Sequence, residues 1–120
     1  MDRAPDDDAP DTLNLMASIE RAAGGLADSG PSLRELPAST LAAKRSLVLL
    51  IIDGLGSEYL AQASPGGPLS SNRLADLRSV CPATTAAAVT TFFTGRSPAS
   101  HGLLGWFTPF EARDEVDLIG

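Results

Sequence analysis

Three short stretches combine residue types that can do chemistry. Asp53 closes the apolar run Leu47 to Ile52 and is followed by Gly54. A carboxylate so placed can bind a hard or borderline divalent metal, with Gly54 keeping the backbone close. The plainer role is a turn-forming Asp-Gly pair with a solvated acid. Pro82-Ala83-Thr84-Thr85 leads into an alanine-rich segment. A Thr hydroxyl at a helix start sits among unpaired N–H groups at the positive end of the dipole, where a phosphate or an oxyanion is favoured. A free Thr hydroxyl is a poor nucleophile and needs a base or metal. Its commoner use is as an N-cap. Thr94-Gly95-Arg96-Ser97-Pro98-Ala99-Ser100-His101-Gly102 reads as a helix stop followed by a tight loop. His101 is better suited to bracing that loop through a hydrogen bond than to ligation. Arg96 can meet a phosphate, although a solvated Arg near a helix end is the simpler reading.

These residues need elements to hold them. Ser46 to Asp53 carries Leu47, Val48, Leu49, Leu50, Ile51 and Ile52 without polar alternation. Such a run predicts a strand buried on both faces, typical of parallel sheets covered by helices. An acid at the carboxyl end of such a strand lies where open α/β sheets place ligands. Leu15, Ile19, Ala22 and Ala23 recur at helical spacing and predict an amphipathic helix over about 12–23, capped by Asp11 or Thr12 and weakened at Gly24–Gly25. Residues 27–41 read as a connecting loop with at most one helical turn. Further short helices are expected at 57–63 and 72–78, with a surface loop at 64–70 between them. Brief strands are expected at 79–81 and 103–107. Thr85 to Thr94 should be helical through Ala86, Ala87 and Ala88, with Gly95 just past its end. Cys81 is expected to be a small buried residue.

Composition narrows the functional classes. The chain has 120 residues, nine Lys and Arg, fifteen Asp and Glu, and a formal net charge of −6. That balance argues against a nucleic-acid binder, which needs a basic face to neutralise phosphates. No apolar run approaches the roughly 18–20 residues of a membrane span. The acidic start does not resemble a secretory signal, which points to a cytoplasmic location. One Cys cannot form an internal disulfide. Asp2, Asp6, Asp7, Asp8 and Asp11 crowd against Arg3 in residues 1–11, so that stretch is expected to be a disordered acidic tail. Residues 12–45 then form an N-terminal helix and loop, and residues 46–120 the main domain.

The order and spacing of the three stretches resemble the N-terminal part of the alkaline phosphatase superfamily. The closest resemblance is to the bacterial branch of the type I phosphodiesterase/nucleotide pyrophosphatase family. It is carried by Val48-Leu-Leu-Ile-Ile-Asp-Gly54, Val80-Cys-Pro-Ala-Thr-Thr85 and Thr94-Gly-Arg-Ser-Pro-Ala-Ser-His-Gly102, and covers roughly half the chain. The resemblance implies a partial three-layer α/β/α sandwich with a mostly parallel sheet. It implies a metal-dependent phosphodiesterase or pyrophosphatase acting on phosphate esters or nucleotides. Asp53 would bind one of two divalent ions, zinc in a complete family domain. Thr85 would be the nucleophile and touch the same metal, with Thr84 as the fallback. The metal would lower the pKa of the hydroxyl, which attacks phosphorus, and a phosphothreonine intermediate would then be hydrolysed.

The chain departs from the family pattern. Ala88 stands three residues after Thr85, where nucleotide pyrophosphatases of the family carry Asn. A complete family site draws further Asp and His ligands, including three His, from later segments, whereas this chain has one His. Glu111, Asp114, Glu115 and Asp117 read as solvated charge. The expectation is therefore a truncated, inactive fragment of such a hydrolase with a thin core and a tendency to associate. The alternative is a small non-catalytic α/β interaction or binding module in which Asp53-Gly54 is a turn and Thr84-Thr85 a cap. A nucleotide-binding loop at Asp53-Gly-Leu-Gly56 is disfavoured, because it lacks both the G-x-G-x-x-G pattern and a P-loop Lys.

Overall fold

Asp11 begins the first helix by a reciprocal cap. The Asn14 backbone N–H donates to Asp11 Oδ1 at 3.1 Å, and the Asp11 N–H donates to Asn14 Oδ1 at 2.9 Å. This capping box satisfies two polar groups that the first turn would otherwise leave open. The computed structural model describes residues 9–28 and 30–108. Among them are six helices: α1 Thr12–Ala22, α2 Ala38–Ala42, α3 Ser57–Ala63, α4 Pro68–Ser71, α5 Thr85–Thr94 and α6 Pro98–His101. None is long and apolar enough to cross a membrane.

α1 is the hub, packing against α2 and α5, while α6 packs on α5. The α1 and α5 contributions to the interior are small: Ala17, Ser18, Ala86, Ala87 and Thr91 are buried, joined by Ala27, Leu33, Leu41 and Val80 from elsewhere. Small side chains let helices approach closely, but they bury little apolar area, so each contributes little hydrophobic stabilisation. Polar bonds supplement this core. Ser18 Oγ accepts the Leu33 N–H at 2.8 Å. Arg21 donates to Ser32 Oγ at 3.0 Å and to the carbonyls of Ala27 at 3.1 Å and Gly30 at 2.7 Å. Asn14 Nδ2 donates to the Pro31 carbonyl. The connection after α1 is thus tied back to the helix it leaves. α3 and α4 pack on each other and, among the helices, on nothing else.

The expected sandwich is corrected by the structure. Among the described residues there is no sheet, and the one ladder contact is an isolated parallel bridge between Asp11 and Arg78. Leu47 to Ile52 is neither helical nor paired, and all six side chains are exposed. Its intended neighbours do not pair with it, and bonds beside or within them run elsewhere. The Arg78 N–H donates to the Pro10 carbonyl and the Arg78 carbonyl accepts from Thr12, so the approach to residues 79–81 is held by the start of α1. The expected strand at 103–107 is instead a loop, with the Leu103 N–H on His101 and the Leu104 carbonyl on Thr84. Residues 72–78 are not helical either. The short helix falls earlier, where Gly67-Pro68 places proline at the first helical position. Within the expected tight loop, Pro98–His101 form α6 by the same device, with Pro98 at the first helical position.

The helices at 57–63 and 85–94 form where the sequence places them, and the first helix ends one residue early at Ala22. Residues 1–8 and 109–120 lie outside the described residues, and with them most of the expected acidic tail and the acids Glu111, Asp114, Glu115 and Asp117. Ala9 to Asp11, expected to belong to that tail, hold hydrogen bonds to Arg78 and Asn14.

Candidate functional site

The two candidate threonines stand at the start of α5 in different surroundings. Thr84 is the N-cap. Its Oγ1 accepts the Ala87 N–H at 3.2 Å and donates to the Leu104 carbonyl at 2.7 Å. Thr85 is the first helical residue, exposed, and among the described residues its hydroxyl has no hydrogen-bond partner. Two backbone N–H groups, those of Thr85 and Ala86, are also left without acceptors there, since the cap reaches Ala87 and the Thr84 carbonyl takes Ala88. α5 has ten residues, enough to give that end a real positive potential. One open hydroxyl and two open N–H groups therefore share one helix terminus.

A return segment supports this terminus. α5 stops at Gly95, which takes φ 64°, a left-handed conformation that costs an L side chain about 1–2 kcal/mol. The chain then runs through α6 and comes back to Leu104 beside Thr84. His101 braces it. The Leu103 N–H donates to His101 Nδ1 at 3.1 Å, which leaves the ring proton on Nε2, 3.2 Å from Thr91 Oγ1. Nε2–H therefore donates to Thr91, whose side chain is wholly buried. His101 acts here as the loop brace expected from the sequence. The Thr91 partner was not foreseen. Its signal was a hydroxyl four residues after Ala87 on the buried side of an apolar helix.

Asp53 lies in the turn after the apolar run, exposed, with Gly54 at φ 75° behind it. Among the described residues its carboxylate has no hydrogen-bond or ion-pair partner. Thr85 and Asp53 share no bond, and no three His, Cys, Asp or Glu side chains among the described residues converge on a metal-sized point. Cys81, expected to be buried, is exposed. Arg96 makes a long 3.8 Å ion pair with Asp28 in solvent. These two, with Glu20, Ser97 and Ser100, line a polar cleft of about 220 Å³. It sits at the far end of α5, about 13 Å along the helix from Thr85 at 1.5 Å per residue, so it is not part of the Thr85 site.

An open hydroxyl at a helix terminus with free N–H groups is an arrangement suited to phosphoryl groups. A family model, type I phosphodiesterase / nucleotide pyrophosphatase, matches residues 47–116, which takes in Asp53, the start of α5 and the His101 loop. The chain belongs to this family. No curated protein and no solved structure matches it.

Proposed function

We propose that Thr85 is the nucleophile of a metal-dependent hydrolase acting on phosphodiester or pyrophosphate bonds, and that Asp53 is a metal ligand of the same site. The observation that carries this reading is the division of labour at the start of α5. Thr84 is committed to the cap and to Leu104, while Thr85 keeps a free hydroxyl beside two open N–H groups. Both proposed ligands offer oxygen from exposed side chains, which suits a hard or borderline divalent cation. When bound, such a cation would lower the pKa of the Thr85 hydroxyl and offset charge on the phosphoryl oxygens.

The chain's own groups supply the rest. The Thr85 hydroxyl proton leaves to solvent, the Thr85 Oγ1–phosphorus bond forms, and the bond to the leaving oxygen breaks. That oxygen takes a proton from solvent. The N–H groups of Thr85 and Ala86 are placed to receive a non-bridging oxygen as charge grows on it. Two donors do not fill a coordination shell, so the 120-residue chain alone should bind metal weakly and show no sustained turnover.

Two measurements test this. Zinc titration by calorimetry should give one weak site, lost in Asp53→Asn. Incubation with zinc and a nitrophenyl phosphodiester should give no turnover above background, and any phosphoryl adduct found by mass spectrometry should map to Thr85. Zinc heats unchanged by Asp53→Asn refute the ligand assignment. An adduct on Thr84, or turnover lost in Thr84→Ala and kept in Thr85→Ala, refutes the choice of nucleophile. Robust turnover by the isolated chain refutes its inactivity. Absence of metal binding together with a cooperative thermal transition favours the non-catalytic binding module instead.

A further inference from the structure

Thr84 is held by two bonds of unequal length. Its Oγ1 accepts the Ala87 N–H at 3.2 Å, at the long limit for N–H···O, and donates to the Leu104 carbonyl at 2.7 Å, near the optimum for O–H···O. A Thr side chain has staggered χ1 alternatives, so the shorter bond decides where this hydroxyl points. Its acceptor belongs to an exposed residue twenty positions further along the chain, and something has to hold that carbonyl in place.

One side chain does so. His101, the last residue of α6, accepts the Leu103 N–H on Nδ1 at 3.1 Å, while its Nε2–H donates to the buried Thr91 Oγ1 at 3.2 Å. Gly102 takes φ 75°, the left-handed turn that brings Leu103 back onto the ring. The ring thus links the interior of α5 to the residue before Leu104, and through Leu104 to the start of the same helix. We propose that His101 is a positioning residue for the reaction at Thr85. By holding Leu103 it presents the Leu104 carbonyl to Thr84, which keeps the Thr84 hydroxyl on its cap. The Thr85 hydroxyl and the N–H groups of Thr85 and Ala86 are then the groups left open to a phosphoryl group. Released, Thr84 would set a second free hydroxyl and a third open N–H, that of Ala87, at the same terminus. The proposal rests on Thr85 as the nucleophile.

Substitutions in the full chain separate the two ring nitrogens. The amide oxygen of Asn overlies Nδ1 and can accept the Leu103 N–H, whereas the longer Gln amide reaches the place of Nε2 and can donate to Thr91. Three-bond couplings to the Thr84 methyl carbon report its χ1. The unsubstituted chain should show one Thr84 rotamer, and in its neutral ring Nδ1 should be the unprotonated nitrogen. His101→Gln should average the rotamer and speed amide exchange at Ala87 about two- to tenfold, the worth of one hydrogen bond. His101→Asn should keep both as in the unsubstituted chain, although it gives up the bond to Thr91. A fixed Thr84 in His101→Gln overturns the proposal, as does averaging in both variants in step with lost stability. So does a protonated Nδ1 in the neutral ring, a measurement that needs no variant to fold. Inorganic phosphate titrated into the unsubstituted chain should shift the Thr85 and Ala86 amides. If it shifts neither, the phosphoryl site falls and the role of His101 in it falls too. If it shifts both while Thr84 stays fixed in His101→Gln, the phosphoryl site stands and the positioning role alone is overturned.

Discussion

Replacing Thr84 and Thr85 separately by Val distinguishes a structural hydroxyl from a free one. Valine keeps the branched shape and removes only the oxygen's bonding. At Thr84 the change removes an N-cap bond to Ala87, 3.2 Å and thus at the long end, and a 2.7 Å bond to the Leu104 carbonyl on the exposed side. A cap contributes about 0.5–2 kcal/mol, and a typical hydrogen bond about 0.5–1.5 kcal/mol. Water can reach Leu104 once the hydroxyl is gone, so low values apply to both. The expected loss is about 1 kcal/mol, or a fall in Tm of roughly 4–8 °C for a domain near 100 residues. At Thr85 no bond is lost among the described residues, and the change should stay within about 0.5 kcal/mol.

The assay is thermal and urea unfolding followed by circular dichroism, with amide exchange read at Ala87. Thr84→Val should speed exchange at Ala87, whose donor loses its acceptor, and Thr84→Ser should restore protection. Equal destabilisation by Thr84→Val and Thr85→Val would refute the reasoning, because Thr85 would then hold a structural bond. So would unchanged exchange at Ala87 in Thr84→Val.

Arg21→Met removes three donated bonds to Ala27, Gly30 and Ser32 while keeping the aliphatic stem. It should lower stability by about 2–3 kcal/mol and open the connection after α1 to limited proteolysis, and unchanged cleavage there would count against the clamp. His101→Leu leaves the buried Thr91 hydroxyl without its ring donor and should lower stability by about 1–3 kcal/mol. Combined with Thr91→Val the loss should be smaller than the sum of the two singles, as a double-mutant cycle measures. Additivity would mean that the pair does not interact.

Local signals made much of the site legible. A Pro-x-x-Thr stretch meeting an alanine run places Thr84 and Thr85 at a helix start, and α5 begins and ends as that pattern requires. Gly95 stands just beyond its end, as the pattern predicts, and takes the left-handed conformation. What the pattern left open was which hydroxyl is engaged. Both have the right type, and only the returning chain distinguishes them, through a Leu104 carbonyl twenty residues away. The Arg21 bonds and the Ser18–Leu33 bond were equally out of reach, since each joins a helix to a loop whose path local preferences do not determine. Cys81 misled because its residue type is usually buried, whereas its exposure here depends on the course of the chain before α5.

The misread strand has a more general cause. Helix is a property of a segment, since its hydrogen bonds close within a few residues. Strand is a property of a pair, since every ladder bond needs a second chain segment. Leu47 to Ile52 meets the compositional requirement of a strand, and its alternating exposure shows a backbone ready for one. Of the described residues expected to pair, Leu103 bonds to His101 and Leu104 to Thr84, while Arg78, just before the expected strand 79–81, bonds to the start of α1. The Leu104 bond holds the start of α5 through Thr84. The bond that shapes the candidate site therefore also commits a carbonyl of the expected strand 103–107, and Asp53 stays in a turn at the end of a run unpaired among the described residues.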